Sequence, residues 1–540
     1  MSLVQGADGK DAARTGAKTR TVRRSISAAG AAPAMATAVA PVAKRATARN
    51  RLPAKNGAAP FRMPRLRLPA FPSRVIDIRD HGAIADGRTD CTLAIADAIV
   101  ACAKAGGGRV LIPAGEWFTG PIHLKSNVNL HLDRGARVRF SADPGQYLPA
   151  VFVRWGGQEC YNYSPLIYAR DCDNISITGR GTLLGQGRTW WPWEKKQQQV
   201  RQKLTDMVIQ GVAVEDRRFG CVDLPLRPQF IFPVNCTNVL FEDFTIGEAG
   251  PCWTIHFAYC ENVTVRRLNI AAPDGPSCDG IVIDSTRNVL VEDCELHTSG
   301  DSIALKSGMN EDGCRVGKPT ENVVIRRTRA TAGTGGVSVG SEMSGGVRNV
   351  LVHDCHYDGP RAGIRVKAAR GRGGVVEDIF FRDITMGRID GDAIQLTTEY
   401  PLFVAPNGKA PIFRNIQLKN ITCAHAKTAA RMIGLPDSAL REISLENITI
   451  AADEGFQCAS VQAMRLLNVR IAPRSGPVLA IRDSRNVLIE GLNNADGASV
   501  FLDLRGRHTR DIRLRGETNN HVRPAIVLGL DVPKDALMHE

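Results

Sequence analysis

The sequence predicts an all-β chain wound as a parallel solenoid, with one short helix over its N-terminal end. Three observations carry this. From about residue 174 onward a phrase of Asn followed by alternating apolar and polar residues recurs at least nine times. The early copies, at Asn238, Asn262, Asn288, Asn322 and Asn349, are spaced 24, 26, 34 and 27 residues apart, and no helical period lies between them. A single amphipathic helical pattern precedes the whole series. Strict alternation means strands with one buried face, and a period of this length without helices means stacked coils rather than separate sheets.

The elements follow in chain order. Residues 1–70 hold 14 Lys/Arg against only Asp8 and Asp11, which leaves 55 basic and 53 acidic side chains for the other 470 residues. The net charge of +14 therefore belongs to a tail, and the nearly neutral body has no basic face or motif for nucleic acid. The Ala-, Pro- and Arg-rich tail lacks an apolar period and is expected to be disordered. Within it, Arg23-Arg24 and the Ala-rich run after them match a weak twin-arginine export signal, which implies a secreted or periplasmic protein. A plain basic, Ala-rich extension is the alternative. No strongly apolar stretch of about 18 residues follows, so no transmembrane segment is expected.

The segment "DIRDHGAIADGRTDCTLAIADAIVACAKAGGGRVLIPAGEW" opens the body at about residue 71 with a strand and a Gly-rich turn. A helix is expected over Asp90 to Lys104, with Leu93, Ile95, Ala98, Ile99 and Cys102 as its apolar face and Gly106 to Gly108 as its stop. Such a helix can cover the open end of a solenoid. The glycines follow the helix rather than precede it, which rules out a phosphate loop.

The repeat then runs to the C-terminus as one domain over 71–540. Its phrases include "NVLFEDFTI", "NVTVRRLNI", "NVLVEDCEL", "NVVIRRTRA" and "NVLVHDCHY", then "DIFFRDITM" at Asp378, "NIQLKNITC" at Asn415, "EISLENITI" at Glu442 and "NVLIEGLNN" at Asn486. Each coil buries its inward side chains by stacking on the next. The 14 cysteines are scattered with no CxxC, and Cys236, Cys260, Cys294, Cys355 and Cys423 recur at similar places in the repeat. They read as small buried residues on stacked coils rather than as a disulfide framework or a metal site.

Several stretches resemble bacterial polygalacturonases of glycoside hydrolase family 28, most densely the exo-acting, pectin-degrading members. They are "VIDIRDHGAIADGRTD", "GGGRVLIPAGEWFTGPIHLKSNVNLHLDRGARVRFSADPGQYLP", "YNYSPLIYARDCDNISITGRGTLLGQG", "SGMNEDGCRVGKPTENVVIRR" and "GGVSVGSEMSGGVRNVLVHDC". The resemblance covers roughly residues 74 to 450. It implies a right-handed parallel β-helix, a monomer as is common for the family's solenoids, an acidic polysaccharide as partner, and inverting hydrolysis of α-1,4 galacturonide bonds. The sequence shows no metal-ligand spacing, and no cofactor is expected.

Four family motifs map onto this chain. The Asn-Thr-Asp motif corresponds to Ser277-Cys278-Asp279, and the Gly-Asp-Asp motif to Ser299-Gly300-Asp301 in "HTSGDSIALKSG". The Gly-His-Gly motif corresponds to Gly333-Thr334-Gly335, and the Arg-Ile-Lys motif to Arg365-Val366-Lys367. Asp279 and Asp301 are thus the candidate catalytic residues, and Arg365 and Lys367 the candidate substrate-binding residues. Gly300 stands where the family has its proton donor and Thr334 where it has a histidine, so reduced or altered activity is expected.

The repeat register supports this set. Asp279, Asp301, Thr334 and Arg365 lie 17, 13, 12 and 16 residues after their own repeat markers, about half a coil in each case. Four consecutive coils should therefore present them on one side, with Lys367 facing the same way as Arg365. Neighbouring coils put the two aspartates' backbones about 4.8 Å apart, closer than the 6.5–9.5 Å expected of an acid and base flanking a bond. Both are read as water-activating groups, with the donor post empty and Gly300→Asp as the change that refills it. Trp190, Trp191 and Trp193 suit a loop's local core or a sugar-stacking platform equally. His297 should face away from the site. Two further readings compete with a hydrolase: a uronide-binding relative without turnover, and a β-elimination lyase, for which no calcium-binding carboxylate cluster stands out.

Overall fold

The computed structural model describes residues 59–276, 278–402, 404–494, 498, 500–516 and 525–540. Arg23 and Arg24, with the expected export signal, lie outside the described residues. The body is a right-handed parallel β-helix, its strands pairing in parallel with the strand one coil further on from Val75–Asp77 to Leu537–His539. Parallel strands in one sheet connect with this hand because right-twisted strands pack back on themselves only that way.

The strands that matter for the site are β1 (Ile281–Asp284), β2 (Asp301–Lys306), β3 (Gly335–Gly340) and β4 (Ala362–Lys367). They stack in that order, with Ile303 beside Val337 and Val337 beside Ile364. Further on, the coils close up into long continuous strands: β5 (Val375–Thr397), β6 (Ile412–Ile433), β7 (Leu440–Ala459) and β8 (Val461–Arg482). Inward Ile, Val, Leu and Phe from every coil form one continuous core.

The repeat marker has a backbone cause. Asn238, Asn262, Asn288, Asn322, Asn349, Asp378, Asn415, Glu442 and Asn486 all have positive φ, between 49° and 58°. This left-handed region is disfavoured by a Cβ, and Asn and Asp enter it most readily among L-residues. Their side chains then bond from coil to coil, Asn322 to Asn288 and Asn349 to Asn322 at 3.0 Å each. The longest of the four early steps, from Asn288 to Asn322, contains a helix, Asn310–Val316.

The capping helix, α1, spans Thr92–Lys104 and buries Ile95, Ala98, Ile99 and Cys102. Leu93, expected on that face, is instead 78% exposed. Two residues before Ile95 is about 200° around a helix of 3.6 residues per turn, so Leu93 points to solvent. The five recurring cysteines are buried and unpaired.

Residues 59–70, expected within the disordered tail, lie against the solenoid. Asn262 exchanges two hydrogen bonds with the backbone of Arg67, and Asn174 two with that of Ala70. Three residues of extended, Pro-rich chain cover about 9 Å, and the two coils between those asparagines cover about 10 Å. The match in step lets the marker side chains hold the strap, and Phe61 packs on Phe380 further along.

Candidate active site

Asp279 lies just before β1, Asp301 opens β2, and Arg365 and Lys367 stand on β4. Alternation turns Ile364 and Val366 into the core and the two cations outward. All four side chains line one cavity of about 490 Å³, together with Gly300 and Thr334. The predicted strip therefore exists, and its members touch.

Asp301 is buried and held by three partners. Lys367 donates from Nζ to Oδ2 at 2.8 Å, the Thr334 hydroxyl donates to Oδ1 at 2.5 Å, and Arg365 Nη1 lies 3.5 Å from Oδ1. Burial alone would raise its pKa, but Lys367, Arg365 and Lys306 outweigh that and hold the carboxyl well below the usual range. Asp301 is an anion locked among cations.

Asp279 has the opposite surroundings. Its Oδ1 accepts the backbone N–H of Asp301 at 3.0 Å, and its Oδ2 lies 3.5 Å from Lys306. Lys306 is closer to Glu342, at 2.9 Å, so Asp279 receives only a share of that charge. Burial, helped by the nearby charge of Asp301, outweighs Lys306 and Lys367 and pushes Asp279 up to about 6. Glu342, also buried, is drawn down to about 2 by Lys306, Arg201 and Arg372. Two aspartates on adjacent coils thus favour different protonation states.

Gly300 has no room for a side chain. A Cβ there would lie 2.7 Å from the Asp279 backbone nitrogen and closer still to its Oδ1. The expectation that Gly300→Asp refills an empty donor post fails on this contact. The space beside residue 300 already holds the Asp279 carboxyl. Thr334 likewise has a definite job, as a hydroxyl donor to Asp301.

The tryptophan segment resolves as local core. Trp190 is buried and meets Tyr147, Tyr163 and Trp193 edge-on or tilted, and none of the three tryptophans lines the cavity. His297 bonds to Thr331 on another face.

Several site residues escaped the sequence reading. Lys306 lies over the Trp253 ring at 4.6 Å, and it follows Leu305, which pairs with Val339, just as Lys367 pairs with the Gly340 that follows Val339. That register could have revealed it. Glu194, Gln197 and Arg201 come from α2 (Glu194–Ile209), and Trp155 from a hairpin pairing Val151–Trp155 with Gln158–Asn162. These pieces, inserted between coils, wall the cavity on one flank. Arg227, which also lines the cavity, pairs with Glu194. No repeat signal marks such insertions. Eight Lys/Arg and six Asp/Glu line the whole cavity, an excess that suits an anionic chain with several carboxylates.

The profile of the family described as "Glycosyl hydrolases family 28" matches residues 102–469. A "Probable polygalacturonase" of Vitis vinifera is 32% identical over 386 residues, which are 69% of this chain and 73% of the relative. An "Exo-poly-alpha-D-galacturonosidase" of Dickeya chrysanthemi is 25% identical over 382 residues, 65% of this chain and 62% of that one. Among solved structures, a hyperthermoactive exopolygalacturonase from Thermotoga maritima superposes with a TM-score of 0.69 at 38% identity. That match covers 72% of this chain and 89% of the other.

Proposed function

From the premise that this chain belongs to glycosyl hydrolases family 28, and is a polygalacturonase-type glycoside hydrolase, we propose that it cleaves galacturonide bonds of pectin by inversion at the Asp279–Asp301 site. The observation that carries this is the strip itself: two buried carboxylates beside Arg365 and Lys367 in one cavity. Arg365 and Lys367 are the groups to receive a sugar carboxylate. As that carboxylate draws on them, their hold on Asp301 weakens and its affinity for a proton rises. Asp301 is then the base that takes a proton from the attacking water.

Substitution of the family's donor by Gly300 and of its histidine by Thr334 is part of the reading. The flank walled by α2 and the hairpin favours attack at a chain end, as in the Thermotoga exopolygalacturonase. We place the protein outside the cytosol as a monomer, with the Arg23–Arg24 segment as its export signal.

The test is incubation of the purified protein with tri- to hexagalacturonides, followed by chromatography and proton NMR. New reducing ends that emerge as the β-anomer, with galacturonate released from one end, are the expected result. Unsaturated products would replace the reading by a lyase, and binding without turnover would replace it by a uronide-binding protein.

A further inference from the structure

We infer that Asp279 has taken over the proton-donor role that position 300 vacates, leaving Asp301 as the only water-side carboxylate. This rests on the hydrolase reading above and assigns its two aspartates to opposite sides of the bond.

The Asp279 carboxyl fills the space that a Cβ at 300 would need, so it reaches the place from which a side chain at 300 would have acted. Asp279 bonds to the backbone of the next coil through Asp301 N–H. Asp301 is drawn further the same way by Thr334, one coil on, and by Arg365 and Lys367, two coils on. Both carboxyls therefore lean the same way along the stack, from coils about 4.8 Å apart, and only Asp301 is held by side chains of the coils beyond.

Asp301, Lys306 and Lys367 face Asp279, with the buried Cys252 thiol nearby. Lys306 is shared with Glu342, and the anion of Asp301 disfavours a second one beside it. Two interacting carboxyls with unequal partners divide into one acid and one base.

The water oxygen attacks the anomeric carbon while Asp301 takes one of its protons. The glycosidic C–O bond breaks, its electron pair stays on the leaving oxygen, and that oxygen receives the proton of Asp279. Asp279 ends as carboxylate and Asp301 as acid, and both reset by exchange with solvent.

A leaving group that needs no proton separates the roles. We compare Asp279→Asn and Asp301→Asn on trigalacturonide and on 2,4-dinitrophenyl α-D-galacturonide, whose phenolate leaves unaided. For Asp279→Asn, turnover of trigalacturonide should fall by roughly 10²–10⁴-fold, and that of the aryl substrate by less than about 10-fold. For Asp301→Asn both should fall by roughly 10²–10⁴-fold, with azide restoring aryl turnover and forming a β-galacturonosyl azide. In the wild type, kcat/KM on trigalacturonide should decline above pH about 6 as Asp279 loses its proton, and the aryl substrate should lack that limb. Asp279→Glu, which keeps an acid, should recover part of the trigalacturonide activity, and unchanged circular dichroism of the isosteric Asp279→Asn excludes misfolding as the cause. Equal loss on both substrates, or no loss on either, overturns the assignment. A wild type that turns over neither substrate overturns the hydrolase reading instead.

Discussion

Two stretches of the same solenoid, β2 to β4 and β6 to β8, use one core and differ on the outside. In β2 every residue from Asp301 to Lys306 is buried, the outward ones included. In β6, by contrast, outward residues such as Arg414, Lys419 and Thr422 are exposed or half-exposed between buried Ile416, Leu418 and Ile421. The alternation along the chain is similar. What differs is cover, because the walls of the cavity, α2 among them, stand over the outer face of β2. Charges there lose water and act on each other strongly, whereas those over 414–422 of β6 are screened.

Substitutions can break that contrast. The largest effect is expected for Lys367→Met on the covered face, where Asp301 loses its closest cation. Removing one partner of a buried pair costs about 3–5 kcal/mol, so thermal or urea unfolding should show that loss while kcat/KM on oligogalacturonides also collapses. Phe381→Ala, in the core of β5 away from the cavity, should cost a similar or smaller amount of stability, about 3–5 kcal/mol for a buried aromatic. Below its melting temperature it should leave kcat/KM within about 2-fold of wild type, since additivity holds for sites that share no partners. Asn349→Ala, at φ 55° in the marker ladder, should cost only about 1–2 kcal/mol, with kinetics unaltered. Loss of activity in the core or ladder variants while they remain folded would mean that the two regions are coupled.

Much of the fold was legible because the period and the alternation are properties of the chain itself. Nine markers in step imply coils, and half a coil past four of them lie Asp279, Asp301, Thr334 and Arg365. Leu93 was misplaced because apolar content was read without strict helical phase. The strap over 59–70 was missed because a Pro-rich, apolar-poor segment carries no period; what orders it is a ladder of asparagines contributed by distant coils. Lys306 and Glu342 were missed for a related reason, since nothing local distinguishes a covered charge from a solvated one.

By itself, the sequence determined the family, the coil register and therefore which side chains share a strip. Those follow from periodicities of two and of one coil, which need no coordinates. Only the tertiary structure decided how the two aspartates differ. Both are aspartic acids on neighbouring coils, yet one meets Lys367, Arg365 and a hydroxyl, and the other meets a glycine's empty place and a share of one lysine. Desolvation and Coulomb interactions depend on distances in space, and those distances set which carboxyl keeps its proton.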